Sequence, residues 1–459
     1  MKTIFISIFD GDTERVILRT DVFRVLKESG HKIVLLVRSA DRIEHYQREF
    51  ANEQVAVELL PPSGSRQETL WYYAGWNSIP THAVAVRRIR EYWNTGKYHL
   101  FVIGSIAGIL AHSRVWREFL RLLYRVFGES YAEALFEKYR PDLLFAANMF
   151  SPEDSRLLLT ARRRKVPSVT IAKSWDVLTT KAFTRVKADR LLVYNEFNKK
   201  EASQYGDYPP SRVVVVGFPQ FDIYTREDIF LPREAFLEKV GLNPAARYAL
   251  YGIPGDWKSP DTRPIIAMLD EQITQGAFVE PFQVLARFHP KYRDSTEGLQ
   301  TTNVVFDKPG KYFAAGGEFS LDSGKDANQW TFKDDDVIHL ANSLRHADVI
   351  INVDSTLTLD AMANRKPAII IAYDGDRKLP YRRSIAFIYE REHYRNVIKT
   401  GAVPLARSHT HLVQLLNTFL ENPEYLQAER DVLTERMLYK LDGRSGERAG
   451  QAILTVLAS

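Results

Sequence analysis

Two short apolar runs separated by one helix-like segment, in residues 349–372, constrain the fold of this chain more than any other feature. Residues 349–353 are apolar and β-branched, a polar turn follows at 354–358, and residues 359–364 have the pattern of a helix. A second apolar run, 367–372, comes next. Strand, helix and strand in this order form a βαβ unit, whose two strands lie parallel. We therefore predict a parallel α/β sheet in this half of the chain.

Similar apolar runs that end in polar or glycine residues recur along the 459-residue chain. They comprise residues 3–9, 31–37, 141–148, 166–172, 188–194 and 213–216, and then 248–251, 283–288 and 304–306. A chain of this length is expected to form two or three domains. The pattern predicts an N-terminal domain at 1–228, a second domain at 229–435 and a final helix at 436–459. In open parallel sheets the functional side chains follow the carboxyl ends of the strands, so the residues after each run are site candidates.

Composition excludes several classes of protein. The chain has no cysteine, which removes disulfides, thiolate nucleophiles and cysteine–metal sites. Its first residues form a strand pattern rather than a signal peptide, and the longest apolar stretch, 100–111, is too short to span a bilayer. The net charge is only +5, without a helix-turn-helix signature or basic residues interleaved with aromatic ones. We expect a cytoplasmic protein that does not bind nucleic acid, and the sequence shows no metal-ligand cluster, nucleophile elbow or Walker loop.

The turn after the first strand carries acids where a dinucleotide-binding turn would carry glycines. Asp10 and Asp12 flank Gly11, and their charge would repel a pyrophosphate. Two roles remain open for these acids: a general base at the sheet edge, or caps at the beginning of the helix expected at 16–29. Later strand ends add further candidates at the same edge: Lys173, Asp176 and Asp222.

A strongly amphipathic helix is expected within residues 115–136. Its apolar face carries Val115, Phe119 and Val126 among others. The opposite face carries four arginines: Arg114, Arg117, Arg121 and Arg125. Such a helix either lies on a membrane interface or packs its apolar face into the core with the arginines in solvent. We favour core packing, because it is the more common arrangement.

The polar turn 354–358 places hydroxyl groups at the beginning of a helix. Backbone N–H groups and the positive end of the helix dipole suit a phosphate there. Ser355 and Thr356 stand at this position, and Asp360 follows one turn later, where it could reach sugar hydroxyls. Capping of the helix by Ser355 or Thr356 is the more common role for such residues.

The order of several motifs along the chain resembles that of the GT-B glycosyltransferases. The second half has a glycine turn at Gly252 and Pro254, a His289-Pro290 pair after a strand, and the Asp-Ser-Thr turn before a helix. In the first half, the segments that look like the strand ends of a GT-B acceptor domain are PDLLF, KVPSVTIAKSWD, ADRLLVYNEFNKKEA and VVVVGFPQFD. The segments most similar to CDP-glycerol glycerophosphotransferases and capsule sugar transferases are RFHP, DVIINVDSTLTLDAM and DGRSGER. The resemblance implies an α/β GT-B architecture of two Rossmann-like domains with parallel sheets that face each other across a cleft.

The resemblance also implies roles for the residues that match its motifs. His289 would donate a hydrogen bond to a donor phosphate, in a turn fixed by Pro290. The remaining residues implied at the donor site are Gly252, Pro254, Ser355, Thr356 and Asp360. In DGRSGER, Arg444 or Arg448 would stabilise the leaving phosphate. A packed structural role for His289 and a solvated surface role for the two arginines remain open.

The activity implied by the resemblance is that of a metal-independent glycosyltransferase without a cofactor. Its donor would be a sugar activated by UDP, CMP or CDP, and its acceptor a glycan or a lipid-linked molecule in cell-surface polysaccharide biosynthesis. Peripheral association with the inner face of the membrane would suit such an acceptor. The acceptor hydroxyl needs a base from the N-terminal domain, for which Asp12 is the first candidate and Asp10 and Asp176 are alternatives.

Two other activities remain open. The first-domain loop lacks the glycine-rich, histidine-bearing pattern common among glycerophosphotransferases, so transfer of a polyol phosphate from a CDP-glycerol-type donor is an alternative rather than the leading hypothesis. A non-hydrolysing UDP-sugar 2-epimerase has the same fold and a similar serine-rich turn. Such an enzyme needs acid–base residues on both faces of one sugar and no acceptor.

Overall fold

The structure is a computed structural model that describes residues 1–38, 40–61, 66–181, 183–254, 262–289, 299–308, 311–312, 330–331 and 334–459. Over these residues the chain forms two compact units. The first unit consists of Met1–Asp222 together with Tyr439–Ser459, and the second consists of Ile223–Leu438. The end of the chain therefore belongs to the same unit as its beginning.

The first unit is built on a parallel sheet of seven described strands. The strands are β1 (Thr3–Ser7), β2 (Lys32–Val37), β3 (Val55–Leu59), β4 (Leu143–Ala146), β5 (Ser168–Ile171), β6 (Arg190–Val193) and β7 (Val213–Val215). Their order across the sheet is β3-β2-β1-β4-β5-β6-β7, and every pair is parallel. The strand order reverses between β1 and β4, as in a doubly wound sheet. The strand pattern of the sequence predicted this architecture correctly.

The helices of the first unit lie mainly between these strands. They are α1 (Gly11–Ile17), α2 (Asp21–Glu28), α3 (Ala40–Phe50), α4 (Arg66–Asn77), α5 (His82–Thr95), α6 (Tyr98–Leu110), α7 (Arg114–Phe127), α8 (Glu133–Tyr139), α9 (Pro152–Arg163), α10 (Val177–Thr180) and α11 (Glu196–Gln204). The single helix expected at 16–29 is two helices, because Thr20 caps a second one through its hydroxyl. The first begins at Gly11, with Asp10 as its N-cap. The acids after the first strand therefore open a helix rather than a loop.

The orientation of α7 differs from the one that we favoured from the sequence. Arg117 and Arg121 are buried, and both bind the carboxylate of Asp207. Five apolar side chains of the helix face solvent, Val115 and Phe119 among them, whereas Leu120 and Tyr124 are buried. The expectation of solvated arginines was wrong for Arg117 and Arg121, because a buried acid, 90 residues from Arg117, pairs with both. The expectation of a buried apolar face was right only in part.

The second unit has a parallel sheet of six described strands. The strands are β8 (Arg247–Gly252), β9 (Phe282–Arg287), β10 (Val304–Asp307), β13 (Val349–Asn352), β14 (Ala368–Ile371) and β15 (Leu405–Ala406), while β11 (Lys311–Tyr312) and β12 (Trp330–Thr331) form a separate antiparallel pair. The order across the sheet is β10-β9-β8-β13-β14-β15. The βαβ unit predicted at 349–372 is present, since β13 and β14 pair in parallel.

Helices of the second unit again lie mainly between its strands. They are α12 (Arg233–Val240), α13 (Arg263–Thr274), α14 (Asp334–His346), α15 (Leu357–Ala363), α16 (Glu392–Ile398), α17 (His409–Glu421) and α18 (Gln427–Leu438). Short 3₁₀ helices occur at Pro210–Arg212, Pro219–Thr225, Glu227–Ile229 and Ile385–Glu390. Both sheets are buried parallel sheets with apolar strands, as expected when helices cover the two faces.

The last helix, α19 (Ser445–Ala458), packs on α2 of the first unit. Two glycines allow this close approach. A Cβ atom at Gly450 would lie 2.7 Å from the Cβ of Val25, and one at Gly446 would lie 3.0 Å from the backbone nitrogen of Asp21. The first unit is therefore completed by the final segment of the chain.

No single described helix is long and apolar enough to cross a bilayer. Helices α6 and α7 meet those length and composition criteria only as a pair, with a bend of 113° between them.

Candidate active site

In the first unit, the ends of β1 and β5 bring two carboxylates and an amine together. The Lys173 Nζ atom lies 2.5 Å from Oδ2 of Asp10 and 3.3 Å from Oδ2 of Asp12. Only β4 separates the two strands that carry these residues. Lys173 therefore balances the charge of two acids at the carboxyl edge of the sheet.

Asp10 and Asp12 differ in their hydrogen bonds within the protein and in their exposure to solvent. Asp10 accepts hydrogen bonds at 2.9 Å from both the backbone nitrogen and the hydroxyl of Thr13, which is the cap of α1. Its side chain is 13% exposed, whereas that of Asp12 is 37% exposed. Of the two acids, Asp12 is thus the more accessible to a ligand, and Asp10 has the capping role that the sequence left open.

Asp176 and Tyr194 complete this group of side chains. The Tyr194 hydroxyl donates a hydrogen bond to the carbonyl oxygen of Lys173 at 2.9 Å, and its ring stacks on Phe218. Burial raises the pKa of Tyr194 above its ordinary range, and the charges of Asp12 and Asp176 act in the same direction. Asp176 is partly exposed. The structure therefore brings the three predicted carboxylates, at positions 10, 12 and 176, into one neighbourhood.

A fourth acid, Asp154, lies beneath this edge and was not singled out from the sequence. It is fully buried and accepts hydrogen bonds from the hydroxyls of Ser7, at 2.5 Å, and Ser151, at 2.8 Å. Burial raises its pKa to about 8. Asp154 ties β1 to the first turn of α9, so its role is in the support of the edge rather than at its surface.

In the second unit, three candidate residues lie at or just after the carboxyl ends of three neighbouring strands. Arg287 in β9 pairs with Gly252 in β8, and Gly252 pairs with Asn352 in β13. His289 and Ser355 come two and three residues after these positions on β9 and β13. Parallel strands end at the same edge of a sheet, so His289 and Ser355 emerge at one edge, on either side of Gly252.

Gly252 has a packing role that explains why this position has no side chain. A Cβ atom there would lie 2.6 Å from the Cδ2 of Leu357, the first residue of α15. The missing side chain lets α15 begin directly over the end of β8. Pro254, two residues later, is buried.

Ser355 and Thr356 form an accessible pair between two buried neighbours, Asp354 and Leu357. The Ser355 hydroxyl accepts a hydrogen bond from the backbone nitrogen of Leu357 at 3.2 Å. Thr356 is the N-cap by position but makes no side-chain cap hydrogen bond. Ser355 therefore makes a capping contact of the kind expected from the sequence. The hydroxyl of Thr356 does not cap the helix.

Two carboxylates at this edge are neutralised by arginines. Asp354 forms an ion pair with Arg391. Asp307, at the end of β10, pairs with Arg287 and lies 3.2 Å from the Nε2 of His339. Burial opposes ionisation of Asp307, yet the charge of Arg287 and the contact with His339 lower its pKa to about 2. The edge therefore does not present these acids as uncompensated negative charges to an anion.

No protein-family model matches the chain, and no curated protein matches its sequence. Solved structures, however, match it over its whole length. The UDP-GlcNAc 2-epimerase from Neisseria meningitidis bound to UDP-GlcNAc aligns with a TM-score of 0.56 at 12% identity, covering 100% of both chains. The wall teichoic acid polymerase TagF aligns with a TM-score of 0.54 at 10% identity, covering 100% of this chain and 89% of TagF. A glycosyltransferase from Rickettsia africae aligns with a TM-score of 0.50 at 11% identity, covering 99% of this chain and 98% of that enzyme.

The chain has the GT-B fold. Identities of 10–12% establish the architecture alone. The resemblance found in the sequence is confirmed at the level of the GT-B fold, while the closer similarity to CDP-glycerol transferases stays a prediction.

Three candidates of the GT-B chain have structural partners that account for them. Asp360 is buried, and its Oδ1 atom accepts a hydrogen bond from the Tyr224 hydroxyl at 2.5 Å, so the carboxylate holds α15 to the segment after the first unit. Arg448 donates hydrogen bonds to the Val216 carbonyl and to Asp442, both in the first unit. Arg444 is exposed and pairs with Glu447. Asp360 and Arg448 thus have partners within the protein, their roles at a donor site stay predictions, and the surface role left open for Arg444 agrees with its position.

Two further positions of the GT-B chain complete the comparison with the sequence. Pro290 lies outside the described residues, and His289 beside it is partly exposed. Asp222 accepts a hydrogen bond from the backbone nitrogen of Gly446 at 2.7 Å, so it contributes to the cap of the last helix.

One group in the described part of the GT-B chain has the residue types of a metal site. It consists of Glu14, His45 and Glu49, whose ligand atoms lie within 4.8 Å of one another. The guanidinium of Arg19 pairs with both glutamates, however, and Tyr46 donates a further hydrogen bond to Glu14. The group is therefore already balanced by a protein cation.

Proposed function

We propose that this chain is a metal-independent glycosyltransferase that moves a sugar from a nucleotide-activated donor to a glycan or lipid-linked acceptor in the synthesis of cell-surface polysaccharide. One observation carries the proposal: His289 and the Ser355–Thr356 pair follow β9 and β13, the two strands on either side of β8, at the edge where GT-B and other open α/β sheets bind ligands. The imidazole lies on one side of Gly252 and the two hydroxyls lie on the other. These groups can donate hydrogen bonds to a phosphate.

The electrostatics of this edge support an anionic ligand. Asp354 and Asp307 are each paired with an arginine, so their negative charge is compensated. The hydroxyls of Ser355 and Thr356 stand beside the positive end of the α15 dipole. Hydrogen-bond donors placed in this way favour negative charge on the donor phosphate as it develops during transfer.

The first unit would supply the base. In the proposed reaction, Asp12 accepts the proton of the acceptor hydroxyl, and the acceptor oxygen forms a bond to the anomeric carbon of the sugar. The bond from that carbon to the phosphate oxygen breaks, and the electron pair leaves with the nucleotide. Lys173 keeps Asp12 in position without covering it, since the Asp12 side chain remains 37% exposed.

The relatives in fold support a nucleotide sugar as the ligand class. The Neisseria enzyme is bound to UDP-GlcNAc, and the Rickettsia protein is a glycosyltransferase. Because the epimerase aligns over the full length of both chains, epimerisation of a UDP-sugar is our second candidate. Transfer of a polyol phosphate remains a third possibility from the sequence alone.

A two-stage experiment tests the proposal. Melting temperature is first measured with UDP, CDP and CMP, since a ligand that binds only the folded chain must raise it. The nucleotide sugars of the best nucleotide are then incubated with the protein alone and followed by NMR. Consumption of donor only when an acceptor is added supports transfer, whereas an epimerised donor without acceptor would replace transfer by epimerisation. Undiminished transfer in EDTA is expected for metal-independent chemistry.

A further inference from the structure

The orientation of α7 exposes apolar side chains that a soluble protein normally buries. Arg117 donates hydrogen bonds to both oxygens of Asp207, and Arg121 binds the same acid, so the charged face of the helix lies inside. The outward face has exposed fractions between 47% and 79%, in Val115, Phe119, Leu122, Val126 and Phe127. These positions recur at helical spacing and form one stripe.

The preceding helix, α6, has the same inverted arrangement. Its inner side is made of Gly104 and Gly108, which pack against the side chain of Arg88. A Cβ atom at Gly108 would lie 2.6 Å from Nη2 of that arginine. Its outer side exposes four large apolar side chains, Ile103, Ile106, Ile109 and Leu110. Both helices therefore expose a stripe of large apolar residues, although α7 also buries Leu120 and Tyr124.

We call these nine outward side chains the α6–α7 face. Among the described residues, ten of the nineteen exposed large apolar side chains lie between Tyr98 and Phe127. Single exposed apolar residues need no explanation, but a concentration of this kind marks an interaction surface. Two consecutive helices are involved, so the exposure is a property of this segment rather than of one residue.

The charge of the same region indicates what the face binds. Residues 66–127 contain nine Lys or Arg against three Asp or Glu, whereas the rest of the chain contains 53 against 54. Arg114, at the beginning of α7, has a side chain that is 74% exposed, and Lys97, just before α6, is also exposed. Arg117, Arg121 and Glu68 are buried and do not contribute to the surface, and Glu118 is paired with Lys187 and Arg121. The exposed charges are Arg66, Arg87, Lys97 and Arg114 against Glu91, so the surface is positive. A second copy of the chain would bring two such positively charged surfaces together, which is unfavourable.

We infer that the α6–α7 face docks on the surface of an anionic lipid bilayer, with the two helices lying in the interface. Apolar side chains of an interfacial helix enter the boundary between headgroups and acyl chains, and nearby Lys and Arg contact anionic headgroups. The buried arginines of α7 are held by Asp207 and so do not oppose insertion of the outer face. Such docking is independent of the proposed transferase activity, because no residue of the face belongs to the candidate active site.

The test is flotation of the purified chain with vesicles, comparing phosphatidylcholine alone with an equal mixture of phosphatidylglycerol and phosphatidylcholine. The wild-type chain is expected to float with the anionic vesicles, and added salt should weaken the binding. Ile106→Glu combined with Phe119→Glu should weaken it by about tenfold or more, because a charge replaces apolar contact in the interface. The matched control is Val279→Glu, a side chain of the second unit with the same 47% exposure as Phe119, and it should bind like the wild type.

Folding and self-association are followed in parallel. Because the substituted side chains are exposed, the melting temperature of the double variant should stay close to that of the wild type, so that loss of flotation reports on the surface. The inference is overturned if the double variant floats like the wild type, or if the wild type does not float. It is equally overturned if the wild type forms a dimer that the double variant abolishes while neither binds vesicles.

Discussion

Arg117 donates two hydrogen bonds to Asp207, from Nε to Oδ2 at 2.8 Å and from Nη2 to Oδ1 at 2.6 Å. Burial opposes ionisation of Asp207, but the hydrogen bonds from Arg117 and Arg121 lower its pKa below its ordinary value. Asp207→Asn leaves the buried guanidinium of Arg117 without its counter-charge and removes one of the two acids that pair with Arg121, so it should lower the free energy of unfolding by about 3–5 kcal/mol. Asparagine is the suitable replacement because position 207 has a φ of 56°, a conformation that asparagine tolerates.

Denaturant unfolding measures this effect, and Asp228→Asn is the control. Asp228 pairs with Arg226, and both side chains are exposed. The control should keep the wild-type unfolding midpoint. An unchanged midpoint for the Asp207 variant as well would mean that the buried pair contributes little to the orientation of α7.

Asp154 should make stability depend on pH. Its pKa is raised to about 8 in the folded chain, against an ordinary value of 3.8, so between about pH 4 and pH 8 the folded chain retains a proton that the unfolded chain releases. Stability contributed by this group is therefore complete below pH 4 and is lost as the pH rises toward 8. The asparagine of Asp154→Asn is neutral at every pH. From pH 5 to 8 the free energy of unfolding of this variant should therefore fall less steeply than that of the wild type, and the two slopes should differ by up to about 1 kcal/mol per pH unit.

Melting temperatures of the two proteins across this pH range test the prediction. Asp376→Asn, at a side chain that is 74% exposed, controls for the removal of one carboxylate. Parallel curves for wild type and the Asp154 variant would contradict a protonated Asp154 in the folded chain.

Gly450 should be required for packing of the last helix. In Gly450→Val the new side chain meets Val25, because even a Cβ atom would lie 2.7 Å from the Cβ of that residue. Valine is a better helix former than glycine, so any destabilisation must come from the contact between α19 and α2. We expect a loss of about 1–3 kcal/mol. Gln451→Val, on the exposed side of the same turn, should have little effect in the same unfolding assay.

Binding of the donor nucleotide should depend on His289 and Ser355. Removal of either side chain deletes one proposed hydrogen bond to a phosphate, so His289→Ala and Ser355→Ala should each weaken binding by about 1–3 kcal/mol. Calorimetry with the nucleotide selected by the melting screen measures this. Ser113→Ala is the matched control, because it also removes a serine that accepts a hydrogen bond from a helix N-terminus, but in the first unit rather than in the sheet that carries the proposed site. Wild-type affinity in both test variants would remove the phosphate site.

Asp12 and Asp10 should respond differently to the same substitution. Asp12→Asn removes the proposed base and should lower kcat by about 10²–10⁴-fold, with donor affinity and melting temperature retained. Asp10→Asn loses part of an ion pair with Lys173 at a capping position and should reduce melting temperature. Asp176→Asn provides the comparison for the third candidate. If Asp176→Asn abolishes turnover and Asp12→Asn does not, the base is Asp176.

Local patterns in the sequence were sufficient to predict the fold and to predict which residues lie at the carboxyl edge of each sheet. The strand runs, the polar turn before α15 and the grouping of Asp10, Asp12 and Asp176 all follow from residues that are close in sequence or from the rule that parallel strands end together. These features need no knowledge of a distant partner.

The roles that the sequence could not give depend on partners far away in the chain. Asp360 is held by Tyr224, 136 residues earlier, and Lys173 reaches Asp10 across 163 residues. The orientation of α7 depends on Asp207. This residue lies outside the helix, so the hydrophobic pattern of the helix gives no sign of it. Hydrophobic periodicity identifies the two faces of a helix. Which face of α7 is buried depends on a distant acid that pairs with the arginines of the charged face.

The return of α19 to the first unit has a consequence for synthesis on the ribosome. Although residues 1–222 leave the exit tunnel early, the surface of α2 that accepts Gly446 and Gly450 stays uncovered until residues 445–458 emerge. At about 5–20 residues per second, the more than two hundred intervening residues impose a delay of tens of seconds. During that time Val22 and Val25 of α2 lack the helix that covers them, and a premature stop codon before residue 445 would leave them uncovered.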